Sequence, residues 1–198
     1  MIRQRNAQRC RVWLAAFTLF SAAVSAAPVT APTGATFALK IPDLPVYDQH
    51  GRQLNFYSDL VKGKTVVIDF IFTTCTTICP QLTMAMRRIQ QQLGDRIGRD
   101  VWLVSVSVDP TTDVPERLQS FAAKFDVGPA WTFVTGRKPD IDRLLTALGS
   151  ARGGSDHATT ILIGNDRLGC WKRSSGFAPI ATNLKLILDQ AGPSACAP

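Results

Sequence analysis

Residues 65–72 read TVVIDFIF, a nearly unbroken apolar run bounded by Lys64 on one side and two threonines on the other. Such a run, rich in β-branched and aromatic residues, is the pattern of a strand covered on both faces. It needs a layer on each side, and so commits the chain to helices packed about a largely parallel sheet. The remaining sequence supplies those layers. VWLVSVSV (residues 101–108) is a second buried strand, and WTFVT (131–135) and TTILIG (159–164) are shorter ones. Between and after them, apolar residues recur at helical spacing: Leu82, Met86, Ile89 and Leu93 before Gly94; Leu118, Phe121 and Phe125; Ile141, Leu144, Leu145 and Leu148 before Gly149; Ile180, Leu184, Ile187 and Leu188, running to about Ala191. Asp113 and Glu116 have the spacing of a capping box, with Pro115 in the first turn. Residues 169–174 are expected to pair with TTILIG as a hairpin, which makes the sheet mixed. Short apolar pieces in residues 37–57 flank DQHGR, predicting a small N-terminal hairpin with His50 as a solvated turn residue. The expected class is α/β, a mixed central sheet flanked by helices.

The first residues are of another kind. Arg3, Arg5, Arg9 and Arg11 precede the uncharged residues 12–26, which end in Val24-Ser25-Ala26. A basic start, an apolar centre and a small-residue end are the layout of a secretory signal peptide. Fifteen residues at ~1.5 Å each reach about 23 Å, short of the ~30 Å hydrocarbon core. Residues 1–26 therefore read as a cleaved signal, with an uncleaved anchor as the alternative. APVTAPTGAT (27–36) reads as a flexible tether, 37–191 as one domain and 192–198 as a tail.

Removing 26 of 198 residues leaves 172, enough for one core without staples. Four of the 22 basic residues and none of the 15 acidic ones leave with the signal, so the formal charge drops from +7 to +3. No dense basic stripe with interleaved aromatics remains, which excludes a nucleic-acid-binding reading.

Cys10 also leaves; Cys75, Cys79, Cys170 and Cys196 stay. In an oxidising compartment thiols pair, bind metal or cycle. Cys75 and Cys79 fall where the first buried strand runs into a helix. Amides that open a helix are unpaired and carry partial positive charge, which favours thiolate over thiol. If the segment is helical, residues four apart lie one turn above each other on one face, and the sulfurs converge. Cα atoms at that spacing are ~6 Å apart, inside the ~4.4–6.8 Å a disulfide tolerates. Two thiolates at one point equally suit a soft cation such as Cu(I) or Zn(II). A structural bridge, a redox couple and a metal clamp are all compatible with the pair. A third donor for a metal would be His157, in the glycine-containing stretch SARGGSDHATT, with Asp156 beside it. Zinc would want a fourth ligand, and none is evident. A peroxidatic cysteine would want an arginine in its pocket, and none stands near Cys75.

FTTCTTICP (72–80), VSVSVDPTTD (104–113) and SDHATTILIG (155–164) together resemble the Sco/SenC family. The resemblance covers most of residues 37–191. It implies a thioredoxin-like (redoxin) fold and copper, as Cu(I) or Cu(II), bound by Cys75, Cys79 and His157. It further implies a role in assembling the binuclear CuA site of cytochrome c oxidase, as copper donor, as reductant of that site's cysteines, or both. The oxidase subunit carrying the copper site and a thiol-disulfide reductant would be its partners. The location would be periplasmic, with membrane contact only through an uncleaved N-terminal segment. Thr76 and Thr77 depart from the proline and aspartate frequent between the family's cysteines, and Thr112 from an arginine frequent in the DPTTD loop. These changes remove local charge near the thiols and leave the ligand set intact. Cys170 and Cys196 are expected to pair and tie the tail to the hairpin. The leading reading is a metallochaperone. The alternatives are a thiol-disulfide oxidoreductase cycling Cys75 and Cys79 without metal, and a domain whose bridge is merely structural.

Overall fold

The computed structural model describes residues 35–150 and 159–192, all within the unit Ala31–Pro198. Eight strands form one sheet: β1 (Thr36–Phe37), β2 (Pro45–Asp48), β3 (Gln53–Asn55), β4 (Thr65–Ile71), β5 (Val101–Ser107), β6 (Trp131–Thr135), β7 (Thr160–Asn165) and β8 (Cys170–Ser175). Their spatial order is β1-β8-β7-β4-β5-β6-β2-β3. Strands β4, β5 and β6 run parallel at the centre, and every other pairing is antiparallel. Four α-helices, α1 (Ile78–Leu93), α2 (Pro115–Ala122), α3 (Lys138–Ala147) and α4 (Ile180–Ala191), cover the sheet.

All seven residues of β4 are buried, as its composition requires of a strand covered twice. The period-two alternation of a strand divides them between two cores. Val66, Ile68 and Phe70 join Val104, Val106 and Val134 under α3, where Ile141 and Leu144 pack. Val67 and Ile71 join Leu103, Trp131 and Phe133 under α1, α2 and α4. The α1 stripe Leu82, Met86 and Ile89 is fully buried in that second core. Each such side chain contributes roughly 1.5–3 kcal/mol of transfer free energy, which holds the helix to the sheet. In register, Ile71 lies opposite Ser107. The carboxyl ends of β4 and β5 thus reach the same edge, and the loops that follow them are neighbours.

The mixed sheet, the N-terminal hairpin β2–β3 and the late hairpin β7–β8 agree with the sequence pattern. His50 is exposed in the first hairpin's turn, away from the carboxyl edge. Other details differ. Strand β1 takes in Thr36, the last residue of the expected tether, because an edge of β8 is open to it. A π-helix, Phe56–Val61, follows β3 and buries Phe56, Leu60 and Val61. Phe125 lies beyond α2 in a 3₁₀ turn, its ring tilted 47° against that of Phe121 with centroids 5.0 Å apart. The capping box does not form: Val114 is the N-cap of α2 and no side chain caps it, although Pro115 does occupy the first turn. Among the described residues no helix is long and apolar enough to cross a membrane.

Gly164 in β7 faces Trp171 of β8, and a methyl group there would run into the indole ring. Gly164→Ala should destabilise the fold by about 1–3 kcal/mol through overpacking. Urea unfolding with an unchanged m-value would verify this; an unchanged midpoint would show that the indole moves aside freely.

Candidate functional site

The site is assembled where β4 gives way to α1. The chain leaves Ile71 and turns at once, the Cys75 amide donating to the Phe72 carbonyl at 3.2 Å. Helix α1 begins only at Ile78, and its N-cap, Thr77, makes no side-chain cap bond. Helix-opening amides without partners seek an acceptor. The Cys79 amide finds the Cys75 sulfur at 3.2 Å. Pro80, next in line, has no amide to satisfy. Cys75 thereby does from outside the helix what an N-cap oxygen ordinarily does. The expectation that both cysteines stack one turn apart within a helix is corrected on this point. Only Cys79 is helical, and the sulfurs meet because the preceding turn folds Cys75 back over the helix end.

The two thiols have opposite environments. Cys79 is fully buried in the core under α1, and Cys75 is half-buried against that core; both are free thiols. Burial pushes the Cys75 thiol up, but the Cys79 thiol and the amides of Cys79, Thr77 and Ile78 together hold it below its ordinary 9.0. Cys79 is pushed up to about 12 by burial first, then by its hydrogen bond to Cys75 and the charges of Cys75 and Asp69. The pair thus consists of one thiol disposed to ionise and one that holds its proton.

Two aspartates support the site, and the sequence reading assigned neither to it. Asp69 is wholly buried in β4, on the strand face it shares with Val67 and Ile71. The Ser105 hydroxyl donates to its Oδ1 at 2.5 Å, and the Trp131 indole donates to that hydroxyl at 2.8 Å. Its Oδ2 has no hydrogen-bond partner among the described residues. Burial, opposed by the Ser105 hydrogen bond, raises Asp69 to about 7. A lone acid inside TVVIDFIF was the available signal, since a charge is not buried there without consequence. Asp113, read from sequence as a helix cap, is buried and turned instead toward the cysteine loop, where it accepts from Thr73. Nearby, Asp109 is held below the usual carboxylate range, chiefly by the Thr112 hydroxyl and against the cost of burial. Thr112 is therefore an internal partner of this loop.

Among the described residues no group of three or more His, Cys, Asp or Glu is placed to hold a metal ion. The described donors are the two sulfurs of Cys75 and Cys79. His157, Asp156 and Cys196 lie outside the described residues. Cys170 opens β8 opposite Asn165, which pairs with Thr65 at the amino end of β4. It is thus at the opposite edge of the sheet from Cys75.

The SCO1/SenC family pattern matches residues 38–162, more than half of the chain. A SCO1 protein homolog of Bacillus subtilis (strain 168) is 41% identical over 90 residues, 45% of each chain. A protein of Stutzerimonas stutzeri, named as a candidate copper-binding protein, is 32% identical over 109 residues, 55% of this chain and 52% of that one. The match spans about half the length of these curated relatives. Among solved structures, a SCO1/SenC family lipoprotein of Bacillus anthracis str. Ames superposes with a TM-score of 0.68 at 26% identity, covering 81% of this chain and 100% of that one. BsSco, described as a Sco-family cytochrome c oxidase assembly protein with a disulfide switch, superposes with a TM-score of 0.65 at 26% identity, covering 79% and 96%. The mixed sheet with its helix-opening cysteine pair is accordingly a thioredoxin-like fold, and by its sequence this chain is a member of the SCO1/SenC family.

Proposed function

We propose that this protein is exported to the periplasm, binds Cu(I) through Cys75, Cys79 and His157, and serves the assembly of cytochrome c oxidase. Its task there is to deliver copper to the CuA site or to reduce that site's cysteines. The observation that carries the reading is the Cys75 sulfur held at 3.2 Å from the Cys79 amide at the mouth of α1. Thiolates select Cu(I), and a site that opens on a sheet edge lets ligands exchange stepwise. The relatives named for copper binding and for oxidase assembly point the same way. The basic, then apolar, N-terminal residues and the lipoprotein relative support export, with the segment either cleaved or kept as an anchor. Copper is cargo here. Loading it requires Cys79 to release its proton, so affinity rises with pH.

The second reading is thiol-disulfide exchange without metal, favoured by the contrast between the two thiols. The Cys75 thiolate attacks a partner disulfide, forming a mixed disulfide and expelling one partner thiolate. Cys79 then gives up its proton and attacks the Cys75 sulfur, releasing the second partner thiolate. Two electrons pass to the partner, the Cys75–Cys79 disulfide forms, and a thiol reductant must restore it.

Titration of fully reduced, metal-free protein with Cu(I) against a competing chelator separates the two readings. One tightly bound ion, with His157→Ala lowering affinity at least tenfold, is the expected result. Weak binding indifferent to His157 would leave only the redox couple. Cys170 and Cys196 we assign to a structural disulfide, without a part in either chemistry.

A further inference from the structure

We propose that Asp113 is the positioning residue for the Cys75 sulfur, acting through Thr73. The proposal rests on the reading of Cys75 as the reactive thiol and adds what holds it there. Asp113 sits between β5 and α2 and is wholly buried. Its Oδ1 accepts from the Thr73 backbone amide at 3.0 Å and from the Thr73 hydroxyl at 2.6 Å. The same amide lies 3.3 Å from Oδ2, which also accepts from the Ser107 hydroxyl at 2.6 Å. Thr73 is the second residue of the turn that the Cys75 amide closes on the Phe72 carbonyl. A buried carboxylate therefore grips the turn two residues ahead of the nucleophile, from a loop 40 positions further along the chain.

The placement is specific. A cap acceptor at this point in the sequence would ordinarily serve its own helix, yet α2 goes without a side-chain cap while Asp113 reaches the cysteine loop. Position, and not charge, is what it provides. The turn it holds carries the Cys75 sulfur to the Cys79 amide, 3.2 Å away. That contact lasts only while the sulfur stays in line with the amide, because a hydrogen bond weakens steeply with distance and angle. Releasing Thr73 frees the turn and lets the sulfur leave that line.

The test follows the Cys75–Cys79 couple in the full chain by mass spectrometry of the peptide carrying both, equilibrated with glutathione. In Asp113→Ala the couple should become more oxidising by at least tenfold in equilibrium constant, 30 mV for a two-electron couple, because a released turn lowers the chance that the two sulfurs meet and so weakens their disulfide. Asp113→Asn keeps an acceptor oxygen for both Thr73 donors and should stay within threefold of the wild type; a shift as large as in Asp113→Ala would show that charge, and not position, is what the carboxylate supplies. Ser107→Ala removes a contact to the same carboxylate without touching the cysteine loop and should leave the couple unchanged. Thr73→Val deletes one hydroxyl bond and should shift the couple in the direction of Asp113→Ala, by about threefold; it decides the matter if Asp113→Ala does not fold. A folded Asp113→Ala with wild-type potential overturns the proposal, as does an equal shift in Thr73→Val and Ser107→Ala. If the wild type neither binds Cu(I) nor closes a Cys75–Cys79 disulfide under these conditions, the functional reading fails first, and this inference with it.

Discussion

At pH 7 an alkylating reagent will modify Cys75 and leave Cys79 untouched. The nucleophile is the thiolate, so reactivity follows the fraction ionised and the access to the sulfur. Cys79, at about 12, is ionised to roughly one part in 10⁵ at pH 7, whereas Cys75 is held below its ordinary value and ionises more readily. Because the more basic thiolate is also the better nucleophile, the rates differ less than the ionised fractions; Cys75 should react at least about tenfold faster, before the full burial of Cys79 widens the gap. Peptide mass spectrometry after a timed quench measures this directly. Cys75→Ser should then abolish both the fast alkylation and high-affinity Cu(I) binding, costing at least two orders of magnitude in each. Equal labelling of the two cysteines would contradict the buried, proton-holding environment assigned to Cys79.

The other large effect concerns stability and resides in Asp69. Its folded-state value of about 7 lies above its ordinary 3.8, so between those limits the native protein holds a proton that the unfolded chain has lost. Stability is then fully present below about pH 4 and falls as pH rises through 7. The whole span is worth roughly 4 kcal/mol at most. Asp69→Asn removes the titration, should flatten the curve across this window, and should be at least as stable as the wild type at pH 8. Urea unfolding at intervals from pH 4 to 8 gives the two curves. Parallel slopes in wild type and variant would mean that Asp69 is not the group responsible, and that its unpartnered Oδ2 is relieved in some other way.

Much of this protein could be read before any coordinates. The run TVVIDFIF specified a strand buried on both faces, and the stripe Leu82, Met86 and Ile89 specified the helix that covers one of them. Together they located Cys75 and Cys79 at a sheet edge, and the motif around them agreed with the SCO1/SenC pattern. These are short-range properties. A strand's two faces and a helix's apolar stripe are written in periods of 2 and 3.6 residues, within reach of a single segment.

What the sequence by itself determined was therefore the order and kind of the elements, the burial of their faces, and the edge at which the thiols fall. Only the tertiary structure decided which of the two thiols is buried and which is held below its ordinary pKa. That choice depends on Cys75 lying outside the helix, where its sulfur can accept the Cys79 amide, and on Cys79 lying in the core. It also decided the partners of the two aspartates. Asp113 looks like a cap because the spacing to Glu116 fits one, and Asp69 looks like an interruption in an apolar run. Their partners, Thr73 for the one and Ser105 for the other, are 40 and 36 positions away. The register of β4 on β5 brings each pair together, setting Asp69 opposite Ser105 and the two loops at one edge. No local pattern encodes that register, because it follows from the packing of two cores that the whole chain must fold to build.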